Sequence, residues 1–120
     1  MHSFTHSLIE VDRLDDGTQV IKLAGEFDTS QTQTLLQRLG ELLDGSRTDA
    51  IVDLQRVTFI DSKFLRTLVL GLHKARRGDR RIVLIRPTSA LWRVFEVTGL
   101  DTLFPVFESL DDATSSLVVS

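Results

Sequence analysis

The sequence predicts an α/β fold with a mixed β-sheet of about five strands and about four helices. A turn signal near the N-terminus predicts that the first two strands form an antiparallel hairpin. Two later segments, Ile51-Val52 and Ile82-Val83-Leu84-Ile85, are continuously apolar, as central parallel strands usually are. The full order is β-β-α-β-α-β-α-β-α, in which crossover helices join the later strands.

The N-terminal part of the chain predicts a hairpin followed by a helix. Strand patterns at residues 8–14 and 19–24 flank Asp15-Asp16-Gly17, a turn sequence typical of hairpins. A helix is predicted over residues 30–43, and Gly45 is a natural stop for it. The apolar residues of this helix recur at i, i+3 or i+4 and i+7; they are Leu35, Leu36, Leu39, Leu42 and Leu43.

The remaining elements follow at short intervals. A buried strand over residues 50–54 leads through a short turn to a helix over 62–77, which Gly78 ends. Residues 81–85 predict another strand, and residues 89–98 predict a helix with Gly99 as its C-cap. A short strand around 104–107 precedes a last helix, whose start carries the capping-box pattern Ser109-Leu-Asp-Asp112.

Composition places the chain among ordinary globular proteins. At 120 residues it predicts one domain, with 42% apolar and 26% charged residues. The absence of cysteine excludes disulfides, thiolate metal sites and cysteine nucleophiles. A net charge of −3 does not favour nucleic-acid binding, and no apolar run approaches the roughly 20 residues of a membrane span. Because no signal peptide is recognisable at the N-terminus, we expect a cytoplasmic protein.

No pattern predicts catalysis, a bound metal or a cofactor. His2 and His6 lie in the N-terminal tail, far in sequence from His73 in the second predicted helix, and although the first two could chelate a metal, an exposed tail explains them better. No His-Glu-x-x-His, glycine-rich phosphate loop or nucleophile elbow is present. The segment 74–81 contains Lys74, Arg76, Arg77, Arg80 and Arg81. These cations favour a solvated helix end over a nucleic-acid surface, because they complement the helix dipole. We therefore predict that the protein is not an enzyme.

Three segments resemble the STAS domain family, and within it the anti-sigma factor antagonists of bacteria. The first, Asp53-Leu-Gln-Arg-Val-Thr-Phe-Ile-Asp61-Ser62, resembles the family pattern Asp-Leu-x-x-Val-x-Phe-Ile-Asp-Ser-(Ser/Thr)-Gly-Leu. The second is Gly25-Glu26-Phe27-Asp28, similar to the family's Gly-Glu-Leu-Asp. The third spans residues 87–107 and resembles the C-terminal third of the family. The resemblance implies a single STAS domain over residues 1–120, with helices packed largely on one face of the sheet.

The resemblance also implies a function. Unmodified antagonists of this kind bind an anti-sigma factor, which has an ATPase-type kinase fold, and so free a sigma factor; the phosphorylated antagonist lets go. One alternative is a STAS subunit of a signalling scaffold or of a lipid-transport ABC complex, acting as a non-phosphorylated binding module. A small-molecule or nucleotide sensor ranks last. Homodimerisation stays open.

The expected partner surface comprises Asp28, Asp61, Ser62, Lys63 and Phe64. Two structural roles are open for Ser62: it is the N-cap of the helix, or it is the first helical residue after a capping Asp61. The functional alternative is that Ser62 is a phosphate acceptor. Lys63 occupies the usual acceptor position of the family and Phe64 that of its glycine, so only Ser62 offers a hydroxyl, displaced by one residue. Helical spacing places Lys63 toward solvent or a partner. Phe64 is predicted either to extend the core or to anchor an interface.

Overall fold

A computed structural model of the chain describes residues 7–28, 33, 37–38, 40–41, 48–76, 80–99 and 102–118. The strands form one sheet in the order β1-β2-β3-β4-β5. The first pair is antiparallel and the other pairs are parallel, which confirms the predicted mixed sheet. In chain order the elements are β1 Ser7–Arg13, β2 Gln19–Phe27, β3 Ala50–Ile60, α1 Ser62–Ala75, β4 Ile82–Ile85, α2 Ser89–Thr98, β5 Val106–Phe107 and α3 Leu110–Val118.

The predicted hairpin is present between β1 and β2. Gly17 has a φ of 92°, a backbone conformation that glycine adopts without steric strain. The N–H of Gly17 donates to the Leu14 carbonyl, and the N–H of Thr18 donates to Asp16 Oδ1, both over 2.9 Å. These bonds close the turn locally, which is why the sequence alone could predict it. The helix predicted over 30–43 falls mostly outside the described residues, although positions 33, 37, 38, 40 and 41 are helical.

Strand β3 is longer than predicted, because it continues through the expected turn as far as Ile60. It stays paired with β2, whose Phe27 lies opposite Ile60. Two register shifts accommodate the extra length, one between Lys22 and Ala24 and one between Gly25 and Glu26. At the second shift β3 advances by two residues while β2 advances by one. These irregularities are β-bulges, which bend a strand and change the face to which a side chain points.

Helices cover both faces of the sheet. The larger core cluster contains Phe64, Leu65, Leu68 and Leu72 of α1 and Phe95 of α2, so these two helices share one face. On the other face, α3 contributes Ala113 and Leu117 to a smaller cluster that is completed by Val20, Ile51, Val83 and Ile85. Alternate residues of β3 and β4 therefore enter opposite clusters, as the pleat requires. The expected one-sided arrangement holds for α1 and α2, whereas α3 lies on the opposite side.

Two helix ends agree with their sequence signals, whereas α1 ends at Ala75 and not at the predicted residue 77; Gly78, its predicted stop, lies outside the described residues. Gly99 ends α2 in the left-handed conformation with a φ of 81°, as predicted. The Ser109 hydroxyl accepts a hydrogen bond from the Asp112 N–H at 3.1 Å, as the capping-box pattern predicted. None of the helices in the described ranges is both long enough and apolar enough to cross a membrane.

The basic segment 74–81 makes more contacts with the rest of the fold than a solvated helix end would make. Arg80 is only 6% exposed, and it donates to the side chain of Gln19 at 2.7 Å and to the Thr48 carbonyl at 2.6 Å. Arg81 forms a salt bridge with Asp49 at 2.8 Å. The guanidinium of Arg76 stacks on the Phe104 ring, 4.5 Å from its centroid. The segment ties the start of β4 to neighbouring strands and loops; its positions 77–79 lie outside the described residues.

Candidate functional site

The ends of β2 and β3 bring the predicted partner surface together. Phe27 lies opposite Ile60, and the Asp61 N–H donates to the Phe27 carbonyl at 3.0 Å. Asp28 follows β2 directly, and Asp61 follows β3 directly. Both carboxylates, each partly buried, therefore lie at the carboxyl edge of the sheet beside the start of α1.

Asp61 caps helix α1. Its backbone is extended, with a φ of −85° and a ψ of 164°, and its Oδ1 accepts the Phe64 N–H at 2.8 Å. The Leu65 N–H closes the first helical bond on the Asp61 carbonyl at 3.0 Å. A carboxylate at this position also interacts favourably with the helix dipole. Of the two capping alternatives, the structure therefore selects Asp61.

Ser62 is the first residue of α1, and its side chain is exposed. Because Asp61 supplies the cap, the Ser62 hydroxyl is not needed to hold the start of the helix. Lys63, the next residue, is exposed as predicted. Asp61, Ser62 and Lys63 thus place a carboxylate, a hydroxyl and an ammonium group in succession on one accessible turn.

Phe64 points the other way, into the core. Its side chain is 1% exposed, and its ring centroid lies 4.9 Å from that of Phe27 with an interplanar angle of 39°. The two rings join the first turn of α1 to the end of β2. Of the two alternatives for Phe64, the structure supports the core position. The ring faces Phe27 and not solvent, and direct contact of Phe64 with a partner stays a prediction.

The structure exposes a different phenylalanine, which sequence reasoning missed. Phe59 of β3 is 47% exposed and lies opposite Glu26. Strict alternation from the buried Val57 would place Phe59 on the core face. The bulge at Thr58 shifts it to the other face, because Val57 pairs with Gly25 whereas Phe59 pairs with Glu26. No local signal in the sequence marks that bulge, so Phe59 could not have been identified without the strand pairing.

An apolar groove lies between α1 and α2 and begins at Ser62. Its volume is about 420 Å³. The residues that line this α1–α2 groove are Ser62, Leu65, Arg66, Val69, Leu70, Val94 and Leu103. Leu70 is 61% exposed and Leu103 is 36% exposed, so two large apolar side chains reach solvent at its walls. Sequence reasoning did not identify the groove, because its other wall comes from later elements of the chain.

The described residues do not contain a cluster of three or more histidine, cysteine, aspartate or glutamate side chains that could hold a metal ion. His73 lies instead against Phe104, with ring centroids 5.4 Å apart. His2 and His6 lie outside the described residues. The chemistry that the site offers is therefore that of an accessible hydroxyl, fixed charges and apolar surface, which suits recognition of another protein.

Comparisons with known proteins agree with this geometry. Residues 11–107 match the family model described as Mlab, STAS domain. The anti-sigma-F factor antagonist RsfB of Mycobacterium tuberculosis is 28% identical over 102 residues, which cover 85% of this chain and 83% of that protein. The anti-sigma-B factor antagonist of Staphylococcus aureus is 28% identical over 91 residues, which cover 76% and 84%, respectively.

A solved structure gives the same result. The crystal structure of an anti-sigma factor antagonist from Mycobacterium paratuberculosis superposes with a TM-score of 0.82 at 28% identity, and the match covers 92% of both chains. The family model spans most of the sequence, and two of the three segments that carry the resemblance lead to the shared edge of β2, β3 and α1. The protein belongs to the STAS domain family.

Proposed function

We propose that the protein is an anti-sigma factor antagonist. It is a binding regulator and not an enzyme; in the cytoplasm it binds an anti-sigma factor of the ATPase-type kinase fold and thereby frees a sigma factor. Relatives that align over most of the chain carry that name. The observation that carries the proposal is the meeting of Asp28, Asp61, Ser62 and Lys63 at one accessible edge of a STAS fold.

The proposed partner surface is built on rigid elements. Asp61 is fixed by its bond to the Phe64 N–H, and the Phe27–Phe64 contact holds the first turn of α1 against β2. Ser62 and Lys63 therefore present their side chains from a backbone that is already ordered. Such pre-organisation favours binding, because little conformational entropy remains to be lost on association. Phe64 supports this surface from beneath.

The first experiment measures binding to the cognate anti-sigma factor, by titration calorimetry, for wild type and two charge-reversal variants. We expect Lys63→Glu to weaken binding by about tenfold or more, equivalent to about 1.4 kcal/mol. Lys74→Glu is the matched control, because it makes the same charge change on the same helix, about 16 Å farther along. At that distance salt screens most of the effect, so the control should change affinity by less than about twofold.

Two outcomes would contradict the proposal. If the wild-type protein does not bind the anti-sigma factor, the assigned function is wrong. If both lysine variants bind equally well, the edge around Ser62 is not the interface, even though the function stands. Thermal unfolding of both variants serves as the folding control, and neither midpoint should change appreciably, because both lysines are exposed.

We further propose that Ser62 is a poor phosphate acceptor, so that binding is constitutive or is controlled in another way. Adjacent Cα atoms lie about 3.8 Å apart, and adjacent helical residues differ by about 100° around the axis. Misplacement of a reacting atom by about 1 Å can cost on the order of a hundredfold in rate. A serine at position 62 is thus displaced, relative to the usual acceptor position 63, by far more than the chemistry tolerates.

Intact-mass spectrometry after incubation with the cognate kinase and ATP tests this second point. Wild type should stay unmodified under conditions in which Lys63→Ser, which restores a hydroxyl at position 63, gains one phosphate. The core position of Phe64 favours testing Lys63→Ser alone, since a glycine at 64 would remove the ring that contacts Phe27. Stoichiometric phosphate on Ser62 of wild type, together with loss of partner binding, would restore the ordinary switch of the family.

A second candidate function is that of a constitutive subunit of a larger assembly, such as a signalling scaffold or a lipid-transport ABC complex. The exposed Lys63 at the usual acceptor position favours it, because such a subunit needs no phosphate switch. Affinity purification from the native cell separates the two candidates. Stoichiometric recovery of transporter subunits without an anti-sigma factor would replace the first proposal by the second.

A further inference from the structure

The α1–α2 groove has the shape of a docking site for a helix. Its base is apolar, with Leu65 only 3% exposed, and Leu70 and Leu103 rise from it to solvent. The groove follows α1 from Ser62 to Leu70, two helical turns or about 12 Å. A bound helix places side chains at i, i+3 or i+4 and i+7 in such a groove, and these span about 10 Å. The length of the groove therefore matches one apolar stripe of a helix.

Charge around the groove indicates what kind of helix it fits. The chain as a whole is acidic, with 17 aspartates and glutamates against 14 lysines and arginines. Helix α1 has the opposite character, since Ser62–Ala75 contains Lys63, Arg66 and Lys74 but no carboxylate. Arg66 is exposed and lines the groove, and it forms no salt bridge with another described residue. The α1 wall thus combines apolar side chains with positive charge in an otherwise negative molecule.

We propose that the α1–α2 groove binds an acidic amphipathic helix of a partner protein. Large aliphatic side chains of that helix would enter between Val69, Leu70, Val94 and Leu103. Flanking aspartates or glutamates of the helix would face Arg66. This inference deepens the proposed function. It rests on the proposed function in one respect, namely that the anti-sigma factor would supply the helix. Complementary charge fixes the orientation of such a helix and excludes basic segments, because like charges meeting at an interface are repelled.

The test uses the full chain and two synthetic peptides, so that it needs no anti-sigma factor. Both peptides have about 18 residues, which is long enough for partial helicity in water, and each carries leucines on one face of its helix. One carries glutamates beside the leucines, and its twin carries lysines at the same positions. Binding is followed by methyl NMR of isotope-labelled protein, which reports on Val69, Leu70, Val94 and Leu103 individually.

The glutamate peptide should shift these four methyl signals and should bind at least about tenfold more tightly than the lysine twin. Its affinity should fall as salt is raised, because the ionic contacts are screened. The proposal is overturned if neither peptide shifts these signals, if the twins bind equally, or if the shifts map to another face. It is also overturned if the groove signals change with protein concentration in the absence of peptide, since the occupant would then be a second copy of the chain.

Three variants complete the test. Leu70→Gln and Arg66→Glu should each weaken binding of the glutamate peptide by about tenfold. Val97→Gln is the matched control, because Val97 is 81% exposed on α2 but does not line the groove, and it should bind like wild type. All three positions are exposed, so the variants should unfold at the wild-type temperature. Peptide binding without anti-sigma factor binding would retain this inference and reject the proposed function, and the reverse result would do the opposite.

Discussion

Truncation of Phe64 to alanine is the most direct test of how the site is held in place. The side chain is 1% exposed and contacts Phe27, so its removal leaves a cavity between α1 and β2. Phenylalanine-to-alanine substitutions in cores cost about 3–5 kcal/mol of unfolding free energy. For 120 residues, an unfolding entropy of roughly 2.1 cal/mol/K per residue corresponds to about 4 °C per kcal/mol. We therefore expect the melting temperature to fall by about 12–20 °C.

Urea titration monitored by tryptophan fluorescence measures this effect. Trp92 is the one tryptophan of the chain and packs against the same core cluster as Phe64. Phe59→Ala is the matched control, because Phe59 is 47% exposed and belongs to the same segment, and it should cost less than about 1 kcal/mol. If the alanine variant is too unstable to titrate, Phe64→Leu should lose about 1–2 kcal/mol, since most of the buried apolar surface remains.

The two phenylalanines make the outcome decisive. An unfolding free energy for Phe64→Ala within about 1 kcal/mol of wild type would show that the ring is not part of the core. A larger loss for Phe59→Ala than for Phe64→Ala would refute the strand register that exposes Phe59. Either result would return Phe64 to the set of side chains available to a partner.

Substitutions at three further positions test the cap, the buried arginine and the hairpin turn. Asp61→Ala should lower the unfolding free energy in urea by about 1 kcal/mol, whereas Asp61→Asn should retain most of the cap; equal losses would argue against the bond to the Phe64 N–H. Arg80→Ala should cost about 2–4 kcal/mol in the same assay, because it leaves the buried Gln19 oxygen without this donor; a neutral effect would refute that network. Hydrogen bonds from Thr18 hold the pKa of the Asp16 carboxyl below its ordinary value of 3.8. The stabilisation that the Asp16 carboxylate contributes is therefore present above pH 3.8 and is lost as the pH falls through the lower, folded-state pKa. Unfolding free energies measured across acid pH should show Asp16→Asn removing this part of the pH dependence, and identical profiles would contradict the assignment.

The sequence by itself determined the features whose causes lie close together in the chain. Asp15-Asp16-Gly17 specified a hairpin because its bonds join residues at most four positions apart. Gly99 specified the end of α2 because only a residue tolerant of positive φ completes that cap. The apolar runs Ile51-Val52 and Ile82-Val83-Leu84-Ile85 specified central parallel strands, and the motif from Asp53 to Ser62 specified the family. Spacing also separated Lys63 from the buried side of α1.

The tertiary structure decided everything that depends on a distant partner. Phe64 of α1 is buried because Phe27 of strand β2 lies against it. No pattern within α1 distinguishes that position from an interface anchor. Strand β3 continues to Ile60 because β2 supplies hydrogen bonds across two bulges, and the second bulge exposes Phe59. The α1–α2 groove exists because Val94 and Leu103 meet a helix that precedes them in the chain. Periodicity predicts which side of an element is apolar, but only assembly of the fold decides whether that side is covered.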